Sequence, residues 1–136
     1  MKTRIHNGKE QVFCEWRRRF VRLTPEEYVR QCFLTRLVEE FAYPRELIAV
    51  EVFLGGRRAD AIVYDRQMHP LIIIECKADT VALTQKTLDQ ATEYNRKVQV
   101  PYLILHNGLC SVIAYVTESD IRFSPTIPTY NDIVLS

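Results

Sequence analysis

Leu71-Ile72-Ile73-Ile74-Glu75-Cys76-Lys77-Ala78 sets a carboxylate and an amine two positions apart directly after four aliphatic residues. The aliphatic run reads as a buried strand. Strand side chains alternate faces, so Glu75 and Lys77 share one side of the sheet and Cys76 points to the other. Taking an acid and a base out of water costs on the order of several kcal/mol per ion unless each is paired or metal-bound. A salt bridge where the strand emerges into solvent is the ordinary account of such a pair. The neighbouring run supplies a reason to look further.

That run is Arg57-Arg58-Ala59-Asp60-Ala61-Ile62-Val63-Tyr64-Asp65, β-branched and aromatic in character. The polar segment Arg66-Gln67-Met68-His69-Pro70 between the two reads as a hairpin loop. If Tyr64 faces Leu71 across the hairpin, Asp60 falls opposite Glu75, with Cβ atoms about 4.5–5.5 Å apart. A slip of two residues would keep the face and stagger the pair. Two carboxylates at that distance repel, so one takes up a proton or a cation sits between them. Two oxygen ligands beside a lysine describe a hard-cation site, with Mg²⁺ the natural occupant and Mn²⁺ a substitute. Such a site suits phosphodiester hydrolysis, the metal polarising the phosphoryl oxygen and acidifying a water while lysine orients that water or neutralises developing charge.

Asp60 followed by Glu75-Cys76-Lys77 at the end of the next apolar strand resembles the core of the PD-(D/E)xK nuclease superfamily. Within it, the chain is most similar to the N-terminal nuclease domain of type I restriction-enzyme R subunits, in a short stand-alone form. Thr24-Pro25-Glu26-Glu27-Tyr28-Val29-Arg30-Gln31, the Arg58-Ala59-Asp60 step and Gln90-x-x-x-Tyr94 carry the likeness, which spans roughly residues 15 to 116. Ala59 stands where the superfamily has Pro, a position that shapes the turn into the strand. The resemblance implies a DNA endonuclease-like domain in which Asp60, Glu75 and the Cys76 backbone carbonyl hold Mg²⁺ and Lys77 positions the attacking water. It also implies that an acid on the first helix completes the site. Glu27 is the candidate, although Thr24-x-x-Glu27 equally makes a capping box. Glu51, beside Asp60 on the preceding strand, is a further possible ligand. Gln90 and Tyr94, four apart and so on one helix face, match a Gln-x-x-x-Tyr element that supports the nuclease site; an ordinary amphipathic helix is the competing account. Arg57 and Arg58 are candidates for phosphate contact, or for a charge pair at the hairpin corner.

The chain has 136 residues, 47% hydrophobic and 26% charged, enough for one ordinary core. No run of 18 apolar residues marks a membrane span and Met1 to Gly8 is no signal peptide, so a cytoplasmic protein is expected. Cys14, Cys32, Cys76 and Cys110 are scattered, which argues against zinc or a disulfide framework. The net charge of +1 hides an asymmetry: residues 1 to 22 carry seven Lys or Arg against Glu10 and Glu15. Phe13, Trp16 and Phe20 interleave with Arg17, Arg18 and Arg19 there. A basic, aromatic edge of this kind can track a phosphate backbone, or can be an edge strand whose solvated arginines discourage aggregation.

The punctuation predicts an α/β fold of order α-β-β-β-α-β-β, a central mixed sheet flanked by helices. Residues 1–23 form a basic arm or edge strand, 24–116 the nuclease-like core and 117–136 an extended tail whose apolar end docks on a partner or back on the core. Thr24 and Pro25 open the first helix, with Val29, Phe33, Leu37 and Phe41 inward. Residues 48–54 read as a strand, 84–98 as a second helix, 101–105 as a buried strand, and Asn107-Gly108 as a tight turn into 110–116. No phosphate-binding Gly-x-x-x-x-Gly-Lys loop occurs, so no ATPase is expected. DNA is the expected partner, with a homodimer or separate restriction or motor subunits possible. The alternative is a catalytically silent nucleic-acid-binding or assembly module on the same fold.

Overall fold

The computed structural model describes residues 1–135. Three short antiparallel strands, β1 (Thr3–His6), β2 (Lys9–Cys14) and β3 (Arg19–Arg22), build a small sheet of their own at the N-terminus. The basic segment is therefore neither a loose arm nor a single edge strand. Its inner face presents Val12 and Cys14, both buried, and the following Trp16 packs against the main core.

Helix α1 (Pro25–Phe41) begins as the sequence dictates. Thr24 caps it by accepting the Glu27 N–H at 3.1 Å, and Pro25 occupies the first turn. Val29, Phe33, Leu34 and Leu37 form its buried stripe, with Phe41 partly covered. After a single 3-10 turn at Arg45–Leu47 come β4 (Ile48–Leu54), β5 (Arg57–Tyr64) and β6 (Pro70–Cys76), then α2 (Gln85–Val98) capped by Thr84. β7 (Tyr102–His106), β8 (Ser111–Val116) and β9 (Ile121–Ser124) complete a six-stranded sheet in the order β4-β5-β6-β7-β8-β9. All neighbours are antiparallel except β6 and β7, whose parallel pairing needs the α2 crossover.

One face of the sheet, with Ala61, Val63, Ile72, Ile74 and Ile104, packs on α1; the other, with Ile62, Ile73 and Leu103, packs on α2 through Ala91 and Tyr94. Burial on both faces explains why β6 reads as an unbroken apolar run instead of an alternating one. Ala61, Ile62 and Val63 pair with Ile74, Ile73 and Ile72, the register expected for Asp60 opposite Glu75. A bulge at Val63/Tyr64 brings Pro70, not Leu71, opposite Tyr64. The slip is confined to the end of the hairpin away from Asp60.

Residues 117–135 differ from the extended tail expected over 117–136. They supply edge strand β9 and a short helix, α3 (Tyr130–Val134), whose Tyr130 and Ile133 are buried in the α1-side core. Thr129 and Asp132 cap each other's backbone there, a local signal overlooked beside Pro125 and Pro128. Ser136 lies outside the described residues. Among those described, no helix is long and apolar enough to cross a membrane.

Candidate functional site

The sequence-derived acids meet at the end of the sheet where β5 enters and β6 leaves. Regular pairing lapses there. Val50 pairs with Ala61 and Val52 with Ala59, skipping Glu51 and Asp60, and Glu51 adopts φ +54°. A non-glycine residue in that region costs on the order of 1–3 kcal/mol and persists only where its surroundings hold it. Three guanidinium groups do so: the Glu51 carboxylate lies 3.4 Å from Arg17, 3.3 Å from Arg30 and 3.7 Å from Arg58.

Freed from the ladder, Asp60 turns its carboxylate towards β6, where Oδ2 accepts the Cys76 N–H at 2.8 Å. The Asp60 and Glu75 carboxyls are near enough for the Asp60 charge to act on Glu75. Glu75 is buried, and that burial, reinforced by the Asp60 charge, pushes its carboxyl up to about 7 while Arg57 pulls the other way. Arg57 makes an ion pair with Glu75 and lies 4.1 Å over the Tyr94 ring. Burial, then Asp60, keeps the Cys76 thiol protonated, so the Cys76 peptide, not its sulfur, is what that residue offers a cation.

Lys77 is the first residue beyond β6, half-buried, with its main-chain N–H donating to the His106 carbonyl at 2.8 Å. Its charge is felt at Glu26. Burial and then Asp60 raise the Glu26 carboxyl, and Lys77 and Arg30 oppose them. Glu26 is thus the acid of the first helical turn that shares its field with Asp60 and Lys77. Sequence reasoning passed it over because adjacent helix positions differ by about 100° in direction and only the packing of α1 says which one looks at the sheet end.

Glu27 is placed differently. Its buried carboxylate takes Arg30 Nη2 at 2.5 Å, Arg17 Nη2 at 2.6 Å and Gln31 Nε2 at 3.0 Å. Burial works to raise this group, but the three donors prevail and hold it below the ordinary carboxylate range. Only half of the anticipated capping box forms, since the carboxylate is engaged by these donors. Arg30 separates it from Asp60, its Nη1 lying 3.6 Å from Asp60 Oδ1 and 3.3 Å from the Asp60 carbonyl oxygen.

The remaining candidates divide. Tyr94 is buried, and its hydroxyl donates to the Leu54 carbonyl at 2.5 Å, so its contact with the site runs through Arg57. Gln90 is exposed on α2. Arg58 is exposed beside Glu51, and Arg17 is folded inward between Glu27 and Glu51. Arg18, which pairs with Glu15 at 2.8 Å, and Arg19 remain on the surface of the small N-terminal sheet. Among the described residues, no three His, Cys, Asp or Glu side chains gather into a ready-made metal cage. What the site offers is two neighbouring carboxylates, Glu75 driven towards neutrality by burial and then by the Asp60 charge, and the adjoining Cys76 peptide. That donor set fits an oxygen-seeking ion that keeps several waters.

A mixed sheet clasped by a helix on each face, with an acid pair at the β5/β6 end, defines a restriction-endonuclease-like fold. A family model described as "Type I restriction enzyme R protein N terminus (HSDR_N)" matches residues 25–128, and the chain belongs to that family. In solved structures, a fragment of a putative HsdR subunit of a type I restriction enzyme from Vibrio vulnificus YJ016 superposes with a TM-score of 0.62 at 18% identity, over 83% of this chain and 25% of that one. The type IIG restriction endonuclease BpuSI gives a TM-score of 0.46 at 21% identity, over 71% of this chain and 11% of that one. The chain thus spans about a quarter or less of the structures it resembles. No curated protein matches it.

Proposed function

We propose that this domain is a metal-dependent DNA endonuclease, with Asp60, Glu75 and the Cys76 carbonyl holding Mg²⁺ or Mn²⁺. The observation that carries the reading is the Asp60–Glu75 pair. Two carboxyls from adjacent strands are held together, one of them buried, at a cost that a divalent cation would reverse. A bound ion of this kind polarises a phosphoryl oxygen and acidifies a water. Asp60 is fixed by Arg30 at Oδ1 and by the Cys76 N–H at Oδ2, so its carboxylate is held in one orientation. Lys77, carried just past the strand end, supplies a cation to orient the water and offset charge building on the phosphate. Glu26 shares the field of Asp60 and Lys77 and extends the acidic wall of the site. Arg57, released from Glu75, is free to meet a phosphate. DNA and other restriction subunits are the partners this reading requires, and cutting both strands favours a symmetric pair of copies.

The Arg57–Glu75 pair also supports a second reading, a silent nucleic-acid module in which the guanidinium stands where an ion would. Plasmid nicking with Mg²⁺ or Mn²⁺, with and without chelator, separates the two. Wild type is expected to nick, and Asp60→Ala, Glu75→Ala and Lys77→Ala each to abolish nicking with the circular-dichroism spectrum unchanged. Equal nicking by all four proteins would end the nuclease assignment. Calorimetric titration with Mg²⁺, lost in Glu75→Gln, is the second check.

A further inference from the structure

The outer face of the N-terminal sheet is chemically one-sided. Directly paired residues share a face, and the pairs Arg4–Gln11, His6–Lys9, Gln11–Arg22 and Phe13–Phe20 all point away from buried Val12 and Cys14. Lys2 joins them, its carbonyl accepting the Phe13 N–H at 2.8 Å. This face holds Lys2, Arg4, Lys9 and Arg22 and no acid, because Glu10 falls on the opposite face with Ile5. Among the described residues none of those four cations has a carboxylate partner within ion-pair distance.

The two aromatic rings decide what the face can bind. Phe13 and Phe20 meet edge to face at 5.4 Å, and cations already cover them: Arg4 lies 3.9 Å over Phe20, Arg18 5.4 Å over Phe13, and Lys2 5.6 Å and 5.7 Å from the two. Rings whose π-faces are occupied are poor platforms for stacking bases. They serve instead to hold the cationic stems in place. The β2–β3 turn ties this sheet to the helix and strand that border the site, since Arg17 in that turn reaches Glu27 and Glu51.

We infer that this face is a sequence-independent docking surface for the phosphate backbone of duplex DNA. It rests on the nuclease reading for the identity of its partner, and it lies ahead of the residues matched by the family model. The contact is electrostatic, so its signature is the salt dependence of affinity, each neutralised phosphate contributing about 0.9 to the slope of log K against log salt.

The test measures binding of a fluorescent duplex in Ca²⁺, over a salt series, by wild type and by Lys2→Gln/Arg4→Gln/Arg22→Gln. The variant is expected to bind on the order of tenfold more weakly near 0.1 M salt, with a slope shallower by about 2–3 units. Thermal melting checks that the sheet still folds, and Lys2→Arg/Arg22→Lys, which keeps the charges, should restore binding. Unchanged affinity and slope in a folded variant would overturn the inference, including the case where the variant merely aggregates more readily. Nicking assays on the same proteins keep the two ideas apart. If Glu75→Ala stops nicking while the neutralised face binds normally, the docking surface is lost and the nuclease stands. If neutralisation weakens binding and no protein nicks, the docking surface stands and the nuclease is lost.

Discussion

Arg57 holds the position that the proposed divalent ion would have to contest. Its guanidinium is paired with Glu75 and stacked on Tyr94, yet the side chain is 43% exposed and can leave without unpacking the core. Removing it deprives Glu75 of its present counter-charge and exposes the acid pair to an incoming cation. Arg57→Gln is therefore expected to bind Mn²⁺ more tightly than wild type, on the order of tenfold, by calorimetry. Equal or weaker binding would show that the arginine helps build the ion site. Glu75 itself gives a pH signature. Its carboxyl titrates at about 7 in the folded chain against an ordinary 4.5, so the folded state keeps a proton that the unfolded state releases. The stability this provides is complete below about 4.5 and is lost as the pH rises through about 7. In chelator, Glu75→Gln should gain on wild type between pH 4.5 and pH 8 by on the order of 2 kcal/mol, read from urea midpoints. A constant difference would mean that Asp60 and burial do not act on this group as the geometry requires.

At the scale of elements, the β4–β5 hairpin sets where Arg57 and Asp60 stand. Gly55 adopts φ +63°, and a Cβ added there would come 2.3 Å from Val98 Cγ1 on α2. Backbone conformation and close approach both exclude a side chain. Gly55→Ala should lower stability by about 1–3 kcal/mol in thermal or urea melts, and because Leu54 holds the Tyr94 hydroxyl, it should loosen the Arg57 stack as well. The β5–β6 hairpin marks how far sequence could reach. Strand identity, hairpin direction and the Asp60–Glu75 juxtaposition were legible because a side-chain period of two leaves few registers for a buried apolar run. The bulge at Val63/Tyr64 was not, since one extra residue leaves no compositional trace. Nor were the different surroundings of Glu26 and Glu27, which depend on helix rotation, or the inward turn of Arg17, where three consecutive arginines look alike in sequence and only the β2–β3 turn distinguishes them.

Considered whole, the molecule is the family core with a pendant at each end. The N-terminal sheet is fastened by Val12, Cys14 and Trp16, whose indole N–H donates to the Arg45 carbonyl at 3.2 Å, and by the Arg17 ion pairs. The other pendant, α3, closes the sheet end remote from Asp60: the Tyr130 hydroxyl donates to the Tyr64 carbonyl at 3.0 Å and Ile133 is 3% exposed. Ile133→Ala should cost about 2–4 kcal/mol of unfolding free energy, as truncation of a buried aliphatic does, while leaving divalent-ion affinity unchanged. Loss of ion binding in a folded Ile133→Ala protein would mean that the two ends of the sheet communicate.

The placement of α3 also governs how the protein can be handled. A reporter joined beyond α3 would start from the side of the sheet remote from the acid pair. A leader placed ahead of Met1 would instead begin beside β1, on the sheet that carries Lys2, Arg4, Lys9 and Arg22, so purification handles belong at the carboxyl end.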